Sequence, residues 1–205
     1  MKDYFFTISK GGEGFYKEKG SKFIGLAFRV QNEDEIKEQL EEVKKQYHDA
    51  RHHCYAYILS KDKLRANDDG EPNHSAGDPI LGQIKSKNLT QVLIVVVRYF
   101  GGTKLGVSGL INAYKTAAYE ALEASKLMKV TIEEIYQIEY GYEITNEVMK
   151  LIADFEADIK NQEFTENCTA SLGIKQSFQE KFEEEAEKIP GLIYKNKHKP
   201  KEDQN

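Results

Sequence analysis

The chain has 205 residues and a mass of 23.5 kDa, with 40% apolar and 31% charged residues, 12 Tyr, 10 Phe and no Trp. That length allows one or two domains, and that composition buries enough surface to fold, which excludes global disorder and collagen-like repetition. The formal charge of −5 hides an asymmetry: residues 1–128 carry 19 basic against 17 acidic side chains, and residues 129–205 carry 10 against 17, so the halves stand at +2 and −7.

A polyanionic partner should therefore prefer the first half. Two cysteines, Cys54 and Cys168, with no CxxC spacing leave neither a disulfide framework nor a four-cysteine zinc site. The first residues are broken by charge and glycine before a signal-peptide core develops, and no run of about 18 apolar residues occurs. The expectation is a soluble cytoplasmic protein without a membrane partner.

Tyr4 to Ser9 and Phe23 to Val30 are apolar runs bounded by glycines, as strands joined by turns are. Asn32 with Glu35 reads as a helix start, and Ile36, Leu40, Val43 and Tyr47 mark the inward face of that helix. His53 to Leu59 reads as a strand and Lys61 to Gly77 as a long polar loop. Asp78 before Pro79 reads as the cap of a short helix through Ile80, Leu81 and Ile84. Val92 to Val97 is continuously apolar and β-branched, which predicts a central strand buried on both faces. A glycine-rich stretch follows, and then a long helix striped by Leu110, Ala113, Tyr114, Ala117, Ala121 and Leu122.

After Met128 the pattern restarts with a strand over Ile132 to Tyr142 and a helix from Thr145, then strands at Ala157 to Glu163 and Cys168 to Ile174. A helix started by a Ser177/Glu180 capping box and a last strand through Ile193 complete the order. That order, βαββαβ, is the ferredoxin-like split unit. The tail from Lys195 onward reads as fraying. The whole predicts an α+β protein of two domains, 1–128 and 129–205.

Three stretches could carry chemistry. Arg98, Tyr99, Gly101, Gly102, Lys104, Gly106, Ser108 and Gly109 lie between a buried strand and a helix start, where free N–H groups and the helix dipole favour phosphate or nucleic acid. Val107 stands where a phosphate loop needs lysine, so nucleotide hydrolysis of that kind is unsupported. The same glycines also suit tight turning and close helix packing. Asp68, Asp69 and Glu71 surround Gly70, and Ser75 follows: an acidic cleft for Mg²⁺, or a turn whose carboxylates hold backbone N–H groups. Arg51, His52 and His53 precede Cys54, but neighbours on a strand face opposite ways, so the two histidines cannot chelate together. Cys54 leads an inward stripe with Ala56 and Ile58, and Arg51, His53, Tyr55 and Tyr57 would form a basic and aromatic face, able to stack bases or simply to pack.

At these motifs, DARHHCYAY, DDGEPNHSAGDPILGQI and VLIVVVRYFGGTKLGVSGLINAY, the chain resembles the YigZ/IMPACT family over nearly its whole length. The resemblance implies a first domain of the ribosomal protein S5 domain 2-like fold and a ferredoxin-like second domain similar to the last domain of elongation factor G. It implies no catalytic residue. The regulatory partnership of eukaryotic IMPACT proteins runs through an RWD domain with no counterpart in this sequence, so no RWD-mediated partner is expected.

Two functions then compete. One is a translation-associated protein, not an enzyme and needing no cofactor, that binds RNA or the ribosome through its first domain. The other is a Mg²⁺-dependent phosphometabolite-binding protein or enzyme that uses the 68–71 loop with the 101–109 loop.

Overall fold

A computed structural model describes residues Asp3 to Lys197 and divides the chain into two compact units. One is Phe6–Val130; the other joins the described parts of Met1–Phe5 and Thr131–Asn205. The first-half elements are β1 (Tyr4–Lys10), β2 (Glu13–Glu18), β3 (Ser21–Arg29), α1 (Glu33–Gln46), β4 (His52–Ser60), β5 (Lys63–Asn67), α2 (Gly77–Ser86), β6 (Val92–Tyr99), α3 (Gly106–Glu123) and β7 (Lys126–Thr131).

Five of these strands form an antiparallel sheet in the order β2-β3-β6-β4-β5, so the continuously apolar β6 is the central strand. Its alternate residues feed two cores. Val92, Ile94 and Val96 pack with residues of α2 and α3, while Leu93, Val95 and Val97 pack with Ile36 and Val43 of α1. Both faces are thus covered, which is why no polar residue interrupts the strand before Arg98. The α1 start forms as its sequence predicts: Asn32 Oδ1 accepts from the N–H groups of Asp34 and Glu35.

Several expectations are corrected. The glycines after Ser9 do not only turn the chain, because Gly14 lies inside β2 and a Cβ there would stand 2.4 Å from the Ala117 carbonyl oxygen. A bare backbone lets α3 lie against the sheet. The polar stretch after Lys61 is not all loop; Lys63–Asn67 pairs with β4 as an edge strand. Asp78 does not cap α2. That helix begins at Gly77, and the carboxylate of Asp68, nine residues earlier, accepts from the N–H groups of Ala76 and Gly77. Lys126–Thr131, β7, pairs with β1 in a separate two-stranded sheet.

The second unit runs β8 (Glu133–Tyr140), α4 (Thr145–Asp154), β9 (Asp158–Phe164), β10 (Cys168–Lys175), α5 (Gln179–Glu187) and β11 (Ile193–Asn196). Its antiparallel sheet has the order β11-β8-β10-β9 and shares a core with both helices through Tyr136, Val148, Leu151, Leu172 and Phe182. The Ser177/Glu180 capping box does not form, because Ser177 is spent on Asp3, donating its hydroxyl at 2.6 Å and its N–H at 2.7 Å. Lys195 and Asn196 belong to β11 rather than to a fraying tail; the rest of that expected tail, beyond Lys197, lies outside the described residues. Among the described residues no helix is long and apolar enough to cross a membrane.

Candidate functional site

The acidic loop and the end of β6 are brought together. Arg98 Nη1 donates to Glu71 Oε1 at 2.5 Å, and Tyr114 of α3 donates its hydroxyl to the same oxygen at 2.7 Å. All three side chains are buried. The Arg98 guanidinium also lies 5.5 Å from the Phe23 ring and 5.6 Å from the Phe100 ring. Its Nε is buried without a hydrogen-bond partner. Arg98, expected from sequence as a phosphate or nucleic-acid contact, faces inward and holds the 68–76 loop against the sheet.

The other acidic residues are equally committed. Asp68 accepts from Ala76 and Gly77 on one oxygen and from the His74 N–H on the other. Burial works to raise its carboxyl, but the N–H groups of Gly77, His74 and Ala76 outweigh it and hold the group below the ordinary carboxylate range. Asp69 Oδ2 accepts from the His53 N–H at 2.6 Å, and the Asp69 carbonyl meets His52 Nδ1 at 2.8 Å. A carbonyl only accepts, so Nδ1 of His52 carries the proton. Ser75 is buried and donates its hydroxyl to the Pro72 carbonyl at 2.6 Å. Mg²⁺ needs several oxygens free in octahedral geometry, and in this loop both oxygens of Asp68, Oδ2 of Asp69 and Oε1 of Glu71 are already taken by backbone N–H groups, Arg98 and Tyr114. The donor set does not fit the cation, and the turn reading describes it.

On β4 the alternation follows the sequence. Cys54 is fully buried with Ala56 and Ile58, and its thiol donates to the Asp68 carbonyl at 2.9 Å. Burial pushes that thiol up, away from the thiolate a nucleophile or zinc ligand requires. On the opposite face Tyr57 is buried and Tyr55 half-buried in the cluster under α1, and His53 is buried as well, so these rings serve packing. His53 Nε2 meets the Tyr47 carbonyl at 3.1 Å. Arg51, just before the strand, is exposed.

The glycine-rich loop divides into a packed part and an open part. A Cβ on Gly101 would lie 1.9 Å from the Gly20 carbonyl carbon, and the Gly101 N–H donates to Ser21 Oγ, so this glycine seats the loop on the β2–β3 turn. Tyr99 donates its hydroxyl to Asp49, a bond that with burial pushes the phenol up to about 12. Gly102 and Gly106, at φ +88° and +73°, have open space where a Cβ would stand. Lys104 and Ser108 are exposed, and Gly109 is half-buried against Leu105.

The start of α3 is the exposed feature. No side chain caps this 18-residue helix, and no acidic residue lies in its first turn. Its first N–H groups and the positive end of its dipole therefore meet solvent beside Lys104. What sequence reasoning missed is the role of Tyr114, read only as core, and the strand β2, whose Phe15 and Lys17 alternate with Gly14 and Tyr16.

Residues 19–122 match the model of the Impact N-terminal domain family. The IMPACT family member YvyE of Bacillus subtilis is 31% identical over 182 residues, covering 88% of this chain and 84% of that protein. The IMPACT family member YigZ of Escherichia coli is 31% identical over 150 residues, 71% of this chain and 74% of that one. A crystal structure described as that of a hypothetical protein aligns over 95% of this chain and 97% of its own, at 25% identity and a TM-score of 0.68.

Proposed function

The chain belongs to the IMPACT family, and from that premise we propose that it is a translation-associated regulatory protein that contacts RNA or the ribosome through the 100–109 loop of its first unit. The observation that carries this reading is the start of α3: uncapped N–H groups, no first-turn carboxylate, exposed Lys104 and two open positive-φ glycines. Such an arrangement accepts a phosphate without a bridging cation. In this reading the carboxylates of the acidic loop hold the protein together and leave ligand contact to the 100–109 loop.

In the same reading the five-stranded unit is the S5 domain 2-like domain, within the 1–128 division. The βαββαβ unit is the ferredoxin-like domain, similar to the last domain of elongation factor G, and the protein works in the cytoplasm. Both folds recur in translation, which supports the assignment by analogy only. The proposal needs no cofactor, no membrane and no RWD-mediated partner.

Filter binding of ribosomal RNA to the full chain at about 50 and about 200 mM salt tests it. Lys104→Ala should weaken binding and make the salt slope shallower by about 0.7, the loss of one single-strand phosphate contact. A slope and affinity identical to the parent chain contradict the site.

A further inference from the structure

We propose that the end of the five-stranded sheet where β2 turns into β3 is a binding surface for single-stranded RNA, with Phe15 and Phe100 as stacking platforms and Lys17, Lys19, Lys22 and Lys104 along the phosphates. The proposal rests on the reading of the 100–109 loop as an RNA contact and names the form of RNA.

Register places these groups. Phe15 pairs with Ile24, Lys17 with Lys22, and Lys22 in turn with Tyr99 of β6. Paired residues share a face with Cβ atoms about 5 Å apart, and alternate residues of one strand follow at about 6.8 Å, so Phe15, Lys17 and Lys22 form one small patch. Lys19 lies in the turn itself. The loop carrying Phe100 and Lys104 is fixed to that turn by Gly101, which packs on Gly20 and bonds Ser21, and the Phe100 ring lies by Arg98 on the other face, so the RNA strand passes round the end of the sheet from Phe15 to Phe100.

Exposure and charge identify the occupant. Phe15 and Phe100 are 52% and 54% exposed, and all four lysines are exposed. None of the four is in an ion pair among the described residues, while Lys17 Nζ lies 5.2 Å from the Phe15 ring. The neighbouring acids are engaged: Glu18 accepts from the Tyr16 hydroxyl and Asp49 from that of Tyr99. Lys17 on the edge strand β2 also deters pairing with another sheet, but that purpose places neither the Phe15 ring in water beside it nor the Phe100 ring in the adjoining loop. Exposed rings flanked by unpaired lysines match unstacked bases on a phosphate chain, and a duplex hides the base faces they need.

The test is fluorescence anisotropy of a fluorescein-labelled oligouridine with the full chain, its Phe15→Ala/Phe100→Ala double variant and a duplex RNA of equal length. Thermal unfolding confirms that the variant is folded. Loss of two stacking contacts should weaken oligouridine binding at least about tenfold, and the duplex should bind more weakly than the single strand. Equal binding by parent and variant overturns the stacking surface even where Lys104-dependent ribosome binding persists. Displacement of oligouridine by poly-aspartate at equal charge also overturns it, in favour of a plain polyanion surface. A parent chain that binds neither oligouridine nor ribosomes removes the underlying site as well.

Discussion

Arg98 and Glu71, 27 residues apart in the chain, form an ion pair at 2.5 Å with side chains only 7% and 4% exposed. The pair ties the loop before α2 to the last turn-out of β6, from which the 100–109 loop departs. The shared oxygen of Glu71 also takes the Tyr114 hydroxyl, so a strand, a loop and a helix converge on one carboxylate. Together they hold the 68–76 loop against the sheet.

Removing one partner of such a pair leaves the other charge buried and alone. Arg98→Ala or Glu71→Ala should each lose about 3–5 kcal/mol in urea unfolding. The apolar replacement of both, Arg98→Met with Glu71→Leu, should lose far less than the sum of Arg98→Met and Glu71→Leu made singly. Strictly additive losses would mean that the two side chains do not stabilise one another.

Asp68 stabilises the start of α2 from outside the helix. Asp68→Ala should cost about 1–2 kcal/mol at neutral pH, the range of a lost N-terminal cap. Because the folded state holds this carboxyl below the ordinary carboxylate range, its contribution is complete above the unfolded value and is lost as pH falls through the folded one. The gap between parent and variant should therefore close in acid. A gap that is constant from neutral pH down to pH about 3 would contradict the assignment.

Glycines that look alike in sequence should respond in opposite directions. A Cβ at Gly25 would stand 2.3 Å from the Ala117 carbonyl oxygen, whereas at Gly82, inside α2, it would meet nothing within 4 Å. Gly25→Ala should destabilise by about 1–3 kcal/mol through forced movement of α3, and Gly82→Ala should stabilise by up to about 1 kcal/mol. Chemical unfolding of both variants gives the signs directly.

The elements legible in the sequence are those whose burial pattern is periodic or continuous: β6, α1 and α3, and the βαββαβ order of the second unit. β2 was hidden because its inward positions include Gly14, which serves the approach of α3 and so carries no apolar signal. β5 was hidden because it is an exposed edge strand. The glycine-rich loop was visible as a candidate site, but the inward direction of Arg98 was not. A basic residue next to glycines reads the same whether it faces solvent or a carboxylate 27 positions earlier. The cap of α2 was misplaced for the same reason, since Asp68 reaches it through the fold rather than along the chain.

In the proposed function the open part of the 100–109 loop engages the translation machinery. Co-sedimentation of the full chain with purified ribosomes, at low and moderate salt, tests it most directly beside Lys104→Ala, a substitution of an exposed residue that leaves the Arg98–Glu71–Tyr114 cluster intact. The account predicts salt-sensitive sedimentation of the parent chain and a marked loss in the variant. Absence of the parent chain from the ribosome pellet at low salt, or equal sedimentation of parent and variant, would contradict it.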